Sequence, residues 1–127
     1  MPAGAYLYNA VNHSLSRRVT DRNGNQNFTN VEAGRDAAAN PPACAIVITS
    51  VFERSVRKYG PRGYRLATIE AGHILQNLSL VAGTLGLSSL VSASFFEAEL
   101  EAMIGVDGVS EVALACFLCG AKQASPT

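Results

Sequence analysis

Phe52-Glu-Arg-Ser-Val-Arg-Lys-Tyr-Gly-Pro-Arg-Gly-Tyr-Arg65 is the stretch that decides the fold, and Ile69-Glu-Ala-Gly-His-Ile-Leu-Gln-Asn77 follows it closely. Four arginines and one lysine fall within its fourteen residues, interleaved with three aromatic side chains. The downstream part opens a long apolar helix whose polar groups share one face. Such a segment is typical of a site for an anionic or aromatic ligand.

Residues 65–85 predict this helix, because apolar side chains cover nearly its whole circumference at about 100° per residue. The pattern indicates a buried helix that could span about 30 Å. Polar groups in its middle argue against a transmembrane segment. Four polar residues fall on one narrow arc, and we call them the polar stripe: Glu70, His73, Asn77 and Thr84.

The polar stripe has two interpretations. Glu70-Ala-Gly-His73 has the E-x-x-H spacing of carboxylate di-iron bundles, but those sites need a second E-x-x-H and two further glutamates. The chain has only one other histidine, His13. We therefore predict no metal, and we interpret the stripe as buried polar groups that neighbours or a symmetry mate satisfy.

The rest of the chain alternates strands and helices. Strands at 5–8 and 14–19 predict a hairpin. A helix is expected at 31–39, and the apolar, β-branched run 44–51 suggests a central strand buried on both faces. Ser50 is expected to cap a short helix ending at Tyr59.

Beyond the long helix, residues 88–92 suggest a short strand. Ser94 is a candidate N-cap for a helix from Phe95 to Ile104 that ends at Gly105. The apolar run 112–119 predicts the last strand, and residues 123–127 form a polar tail.

Composition indicates one ordinary domain covering residues 1–127. Ten basic and ten acidic residues cancel, so neither a nucleic-acid nor a membrane partner is expected. No signal peptide is recognisable, and we expect a cytoplasmic protein. The three cysteines are expected to be reduced. Cys116 and Cys119 form a C-x-x-C, but on a strand their side chains would lie on opposite faces and could not form a disulfide with each other.

Lys58 and Tyr59 are the candidate acid–base residues. They end the short helix, and Gly60-Pro61 turns the chain directly after them. A lysine desolvated near other cations can titrate closer to neutrality, and a tyrosine hydroxyl can relay a proton. On residue types alone, the alternative is a solvated basic rim with a tyrosine at the core edge.

Several spaced segments together resemble the SagB-type dehydrogenases of the nitroreductase-like flavoproteins. The resemblance covers almost the whole chain and includes the hairpin segment 4–9 with His13-Ser-Leu15. Its other signatures are Val51-Phe-Glu-Arg54, Lys58-Tyr-Gly60, Arg62-Gly-Tyr-Arg65, Glu70-Ala-Gly-His73, Gln76-Asn77, Leu85-Gly-Leu87 and Val106-Asp-Gly108.

The resemblance implies an α+β, nitroreductase-like fold, with a mainly antiparallel sheet flanked by helices and a long buried central helix. It implies FMN at a homodimer interface, with the helix 65–85 at that interface, and hydride transfer to or from the flavin. Lys58 and Tyr59 match the lysine–tyrosine pair of azoline oxidases, thought to act as base and proton relay. Backbone groups of Ser92, Ala93 and Ser94 would approach the flavin ring.

The resemblance also implies an incomplete amino terminus. Family members carry an upstream portion that holds the FMN phosphate, and this sequence begins almost at the hairpin. Lys122 is the one candidate for the downstream basic residues of classical nitroreductases. Three alternatives stay open: the chain is a fragment of the enzyme, a separate chain supplies the missing part, or the chain is a non-catalytic half-domain that acts as a binding or assembly subunit without flavin. The substrate stays open.

Overall fold

The computed structural model describes residues 4–18 and 42–122. The expected helix at 31–39 and the polar tail lie outside these residues. The described elements, in chain order, are β1 Tyr6–Asn9, β2 Ser14–Arg17, β3 Cys44–Ser50, α1 Phe52–Tyr59, α2 Arg62–Thr84, β4 Leu87–Ser92, α3 Glu97–Ile104 and β5 Val112–Ala121.

The predicted hairpin is confirmed. β1 and β2 pair antiparallel from Tyr6 opposite Arg17 to Asn9 opposite Ser14. Directly after β2, the Arg18 guanidinium donates hydrogen bonds to the carbonyl oxygens of Ile104 at 3.2 Å and Gly105 at 2.9 Å. These carbonyls end α3, so Arg18 ties the hairpin to the end of that helix.

The second sheet has three antiparallel strands in the order β3-β5-β4. The prediction of a central strand at 44–51 was therefore wrong: among the described strands β3 lies at an edge, and β5 takes the centre. β3 is only partly buried, whereas β5 holds a run of four buried residues, Ala115 to Leu118. Both strands are apolar and could fill the central place by sequence, but only β5 has a strand hydrogen-bonded on each side.

Alternate residues of β5 contribute to two hydrophobic clusters, one on each face of the sheet. Cys116 and Leu118 pack with Phe95 and Leu100 near α3. On the other face, Ala115 and Phe117 pack with Leu75 and Ala82 of α2. The sheet is thus a layer between α2 and α3, which makes the fold α+β.

The two serines expected to cap helices do not do so. Ser50 is the last residue of β3 and pairs with Val112, so its backbone stays extended and Val51 precedes α1 instead. α3, the helix that Ser94 was expected to cap, begins at Glu97, later than expected, because Phe95 turns into the core. Gly105 does end this helix, in the left-handed conformation with φ 75°.

The long helix is confirmed as one element, beginning three residues earlier than expected, but within one chain it is not buried all round. The four buried residues of α2 are Gly63, Ala71, Leu75 and Ala82. An opposite face of this helix remains exposed and includes Leu66, Ile69, Ile74, Leu80, Val81 and Leu85. In the described part of the chain, no helix combines the length and apolar character that crossing a membrane requires.

Candidate functional site

The corner between α1 and α2 fixes the position of the candidate acid–base pair. Gly60 has φ 61° and ψ −153°, a conformation that only glycine adopts readily. Its N–H bonds the Val56 carbonyl at 2.8 Å and its own carbonyl accepts the Gly63 N–H at 2.9 Å. The chain therefore leaves α1 in one defined direction and enters α2 after a single residue pair.

Close approach of the two helices tightens this corner. A Cβ on Gly63 would lie only 2.5 Å from the backbone carbon of Ser55 and the nitrogen of Val56. The rings of Phe52 and Tyr64 pack beside this contact, with centroids 4.7 Å apart. The helices thus cross backbone against backbone, and the end of α1 has little freedom to move relative to α2.

Lys58 and Tyr59 end α1 and are exposed in the single chain. The Lys58 ammonium lies 5.0 Å from the centroid of the Tyr59 ring, a distance suited to a cation–π contact. Tyr59 is 50% exposed. The described residues therefore leave both side chains exposed on one surface.

Ser92, Ala93 and Ser94 lie at the end of β4. Because β3 and β4 are both antiparallel to β5, they run in the same direction and finish at the same end of the sheet, where β5 begins. α1 starts at that end too, so Lys58 lies about 10 Å along the helix from it. The Ser94 N–H bonds the Ser92 hydroxyl at 3.2 Å, and Ala93 is exposed.

Lys122 lies at the opposite end of the sheet, where β5 finishes. Ser92 pairs with Cys116 and Leu87 with Ala121, so Lys122 follows the end of β5 beside the start of β4. Six residues separate Cys116 from Lys122 along the chain, or about 20 Å of strand. One chain therefore does not bring Lys122 together with residues 92–94.

The loop at 106–111 lies at the same end of the sheet as residues 92–94. The hydrogen bonds that hold this loop were not predicted from the sequence. The Asp107 carboxylate accepts the N–H groups of Val109, Ser110 and Glu111 at 2.8–3.0 Å. The bonds from Glu111 and Val109 hold the pKa of Asp107 far below its usual range. Glu111 in turn accepts the Thr49 hydroxyl at 2.6 Å, which connects the loop to β3.

The polar stripe is exposed in the single chain, so the described residues of one chain do not bury it, and its burial by a symmetry mate stays a prediction. At 100° per residue its members span about 60° and lie in the middle of the exposed apolar face of α2. Ile69 and Leu80 flank it on one side, Ile74, Val81 and Leu85 flank it on the other, and Leu66 lies on the same arc at its N-terminal end. Among the described residues, no group of three or more His, Cys, Asp or Glu side chains is arranged to hold a metal ion.

The start of α1 forms a concave surface. An open depression of about 360 Å³ is lined by Val51, Glu53, Arg54 and Arg57. Arg57 makes an ion pair with Glu53 at 2.7 Å. The depression belongs to the basic segment that the sequence singled out, but residues 92–94 do not line it.

Comparison with known proteins identifies the fold. The model of the Nitroreductase family matches residues 5–121. The structure superimposes on a chain of the Escherichia coli microcin synthetase McbBCD complex with truncated pro-MccB17 bound, with a TM-score of 0.85 and 28% identity. That match covers 98% of this chain and 47% of the other.

Two curated relatives carry the same similarity. The microcin B17-processing protein McbC of Escherichia coli is 31% identical over 80 residues, which cover 63% of this chain and 29% of McbC. The trifolitoxin-processing protein TfxB of Rhizobium leguminosarum bv. trifolii is 32% identical over 124 residues, covering 91% of this chain and 32% of TfxB. The chain thus spans about a third of the length of each.

Proposed function

Because the chain belongs to the nitroreductase family, we propose that it is part of an FMN-dependent oxidoreductase of the SagB type. A bound flavin would accept or donate two electrons as hydride, and the protein would supply orientation and proton transfer. The observation that carries the proposal is the Lys58–Tyr59 pair, which the α1–α2 corner holds in a fixed position on the surface. The matched relatives are named for processing microcin B17 and trifolitoxin, and a peptide substrate with azoline rings rests on the resemblance to the SagB-type dehydrogenases.

In this proposal Lys58 accepts the proton that leaves the substrate, and the Tyr59 hydroxyl relays it. A lysine must lose part of its hydration to act as a base near neutral pH. Because Lys58 is exposed in one chain, the surface that desolvates it is formed on assembly or on substrate binding. The backbone at residues 92–94 would face the flavin ring.

The described residues supply only part of a flavin site. The segment 92–94 and the acid–base pair would lie against the flavin ring, whereas Lys122 of the same chain lies at the opposite end of the sheet. A phosphate needs charge-assisted hydrogen bonds of about 1.5–3 kcal/mol each. We propose that a second copy, or a separate chain that supplies the remaining part of the domain, completes the phosphate site.

The exposed surface of the helix 65–85 supports homodimerisation through this helix. Six large apolar residues are 41–68% exposed on this helix, and contiguous apolar surface of this kind marks an interaction site. The polar stripe runs along its centre, so a partner that covers the face must offer hydrogen bonds to Glu70, His73 and Asn77. A second copy of the same helix carries such groups along the same face.

The dimer is tested with Leu80→Glu, which places a charge where the leucine is 60% exposed. We expect sedimentation equilibrium to show a dimer for the wild type and a monomer for this variant. Val109→Glu is the control, because Val109 is 86% exposed in the loop at 106–111, away from α2. A wild type that stays monomeric across the concentration range would refute this interface.

Flavin binding is tested by titrating the chain with FMN and following flavin fluorescence and the visible spectrum. Lys58→Met and Tyr59→Phe should leave the dissociation constant unchanged and lower turnover of an azoline peptide by about 10²–10⁴-fold. Lys122→Ala serves as a separate test of the phosphate site, where a weaker FMN affinity is expected. Nitroaromatic compounds are assayed in parallel, since their reduction would assign a different substrate class.

Failure to bind FMN by a folded dimer would refute flavin binding by this chain alone. The titration is then repeated with a co-expressed chain that carries the upstream portion of the family domain. Binding restored by that chain would establish a divided enzyme. Continued absence of binding would favour the alternative, a non-catalytic binding or assembly subunit.

A further inference from the structure

Two of the three cysteines lie directly opposite each other on neighbouring strands. Cys44, the first residue of β3, is the register partner of Cys119 in β5. Residues directly opposite in an antiparallel pair carry their side chains on the same face, with Cα atoms about 4.5–5.5 Å apart. A disulfide requires Cα atoms about 4.4–6.8 Å apart, so both backbone positions are compatible with a bond.

The surroundings of the two thiols differ. Cys44 is exposed at the start of an edge strand, whereas Cys119 is partly buried against the cluster that contains Phe117 and Leu75. Partial burial raises the pKa of the Cys44 thiol, and the neighbouring Cys119 thiol raises it further. Cys116 is buried on the other face of β5, in the cluster with Leu100, and cannot reach either thiol.

We propose that Cys44 and Cys119 form a thiol pair that low-molecular-weight disulfides oxidise to an intrachain, cross-strand disulfide. The exposed Cys44 thiolate attacks the small disulfide, forming a mixed disulfide and releasing one thiol. The Cys119 thiolate then attacks the sulfur of Cys44, forming the bond between the two cysteines and releasing the second thiol. The protein loses two electrons and two protons, and the small disulfide becomes two thiols.

The bond would join the first residue of the edge strand β3 to the central strand β5. It would close a loop that contains α1, α2, β4 and α3, because all of these lie between residues 44 and 119. Closing such a loop restricts the unfolded chain. The oxidised protein should therefore resist denaturation better than the reduced one.

The test treats the full chain with oxidised glutathione at about pH 9, where more of each thiol is ionised than at neutral pH, and counts free thiols. We expect the wild type to fall from three thiols to one, with a monomeric band on a non-reducing gel. Its urea midpoint should rise, and a reductant should restore both values. Cys116→Ala should fall from two thiols to none, and a tryptic digest should show residues 36–54 linked to residues 66–122.

Cys44→Ala is the matched control. It removes an exposed side chain, so it should fold, retain its other thiols apart from slow glutathionylation, and show no oxidant-dependent midpoint. Three outcomes would overturn the proposal: a stable mixed disulfide on Cys44 as the only product in the wild type, a linkage between two chains, or a bond that still forms in Cys44→Ala.

Discussion

Gly63→Ala tests the geometry that positions the candidate acid–base pair. The added methyl would lie 2.5 Å from the Ser55 carbon and the Val56 nitrogen, and 2.7 Å from the Ser55 oxygen. All three atoms belong to the backbone of α1, so no side-chain rotation can remove the clash. The two helices must move apart, which would also disturb the packing of Phe52 on Tyr64.

The magnitude follows from this overlap. Carbon atoms in normal contact are about 3.5–4.0 Å apart, so α1 must shift by roughly 1 Å. Overpacking of this kind destabilises a protein by about 1–3 kcal/mol. Replacing glycine by alanine inside a helix also stabilises the helix by up to about 1 kcal/mol, and a control in the same helix cancels this gain.

Gly72→Ala is that control, because a Cβ at Gly72 meets no atom within 4 Å. We expect urea unfolding, followed by far-UV circular dichroism, to separate the two variants by about 1–3 kcal/mol, or roughly 0.7–2 M in midpoint at a slope near 1.5 kcal/mol/M. Gly63→Ala should be the less stable. Equal midpoints for the two variants would show that α1 and α2 do not cross this closely, and the fixed position of Lys58 would lose its basis.

Two further predictions concern the hydrogen bonds that hold the sheet edge and the hairpin. Asp107→Asn should lower the free energy of unfolding at neutral pH, and the difference from the wild type should shrink as the pH falls below about 5. The sign follows because the folded-state pKa of Asp107 is depressed. The stability that the carboxylate contributes is therefore present above the unfolded-state pKa and is lost as the carboxylate is protonated. A pH-independent difference in urea midpoint would contradict this. Arg18→Met should destabilise the protein by about 1–2 kcal/mol, because the Ile104 and Gly105 carbonyls lose their charge-assisted donor, whereas Arg18→Lys should recover part of the loss; identical thermal midpoints for wild type and Arg18→Met would refute the tether.

The elements themselves were predictable, because they depend on local patterns. Turn residues between two alternating segments indicated the hairpin, and the repeat of apolar residues indicated α2. The order of the strands was not predictable in this way. The runs at 44–50 and 112–121 are both apolar enough for the centre of a sheet, and only the pairing of distant segments gives that place to β5. The opposition of Cys44 and Cys119 depends on the same register and was missed for the same reason.

The candidate site was predicted residue by residue but not as an arrangement. Lys58, Tyr59 and Gly60 stood out because of their types and spacing. That Gly63 is a contact between helices could not be read from the sequence, since a glycine in a helix can equally be a neutral position such as Gly72. The exposure of the polar stripe in one chain could not be read from the sequence, because periodicity shows that a face is apolar without showing what covers it.

These observations together connect the exposed face of α2 to the chemistry proposed for Lys58. The backbone contact at Gly63 fixes α1 against α2, so a partner that covers the apolar face of α2 also acquires a fixed relation to the end of α1. The cover that buries Glu70 and His73 could then be the one that desolvates Lys58. If so, Leu80→Glu should lower proton-transfer activity together with dimer formation, although Leu80 lies about 27 Å along α2 from its first residue, Arg62. Activity that persists in a monomeric Leu80→Glu variant would separate the two and show that substrate alone provides the low-dielectric surroundings.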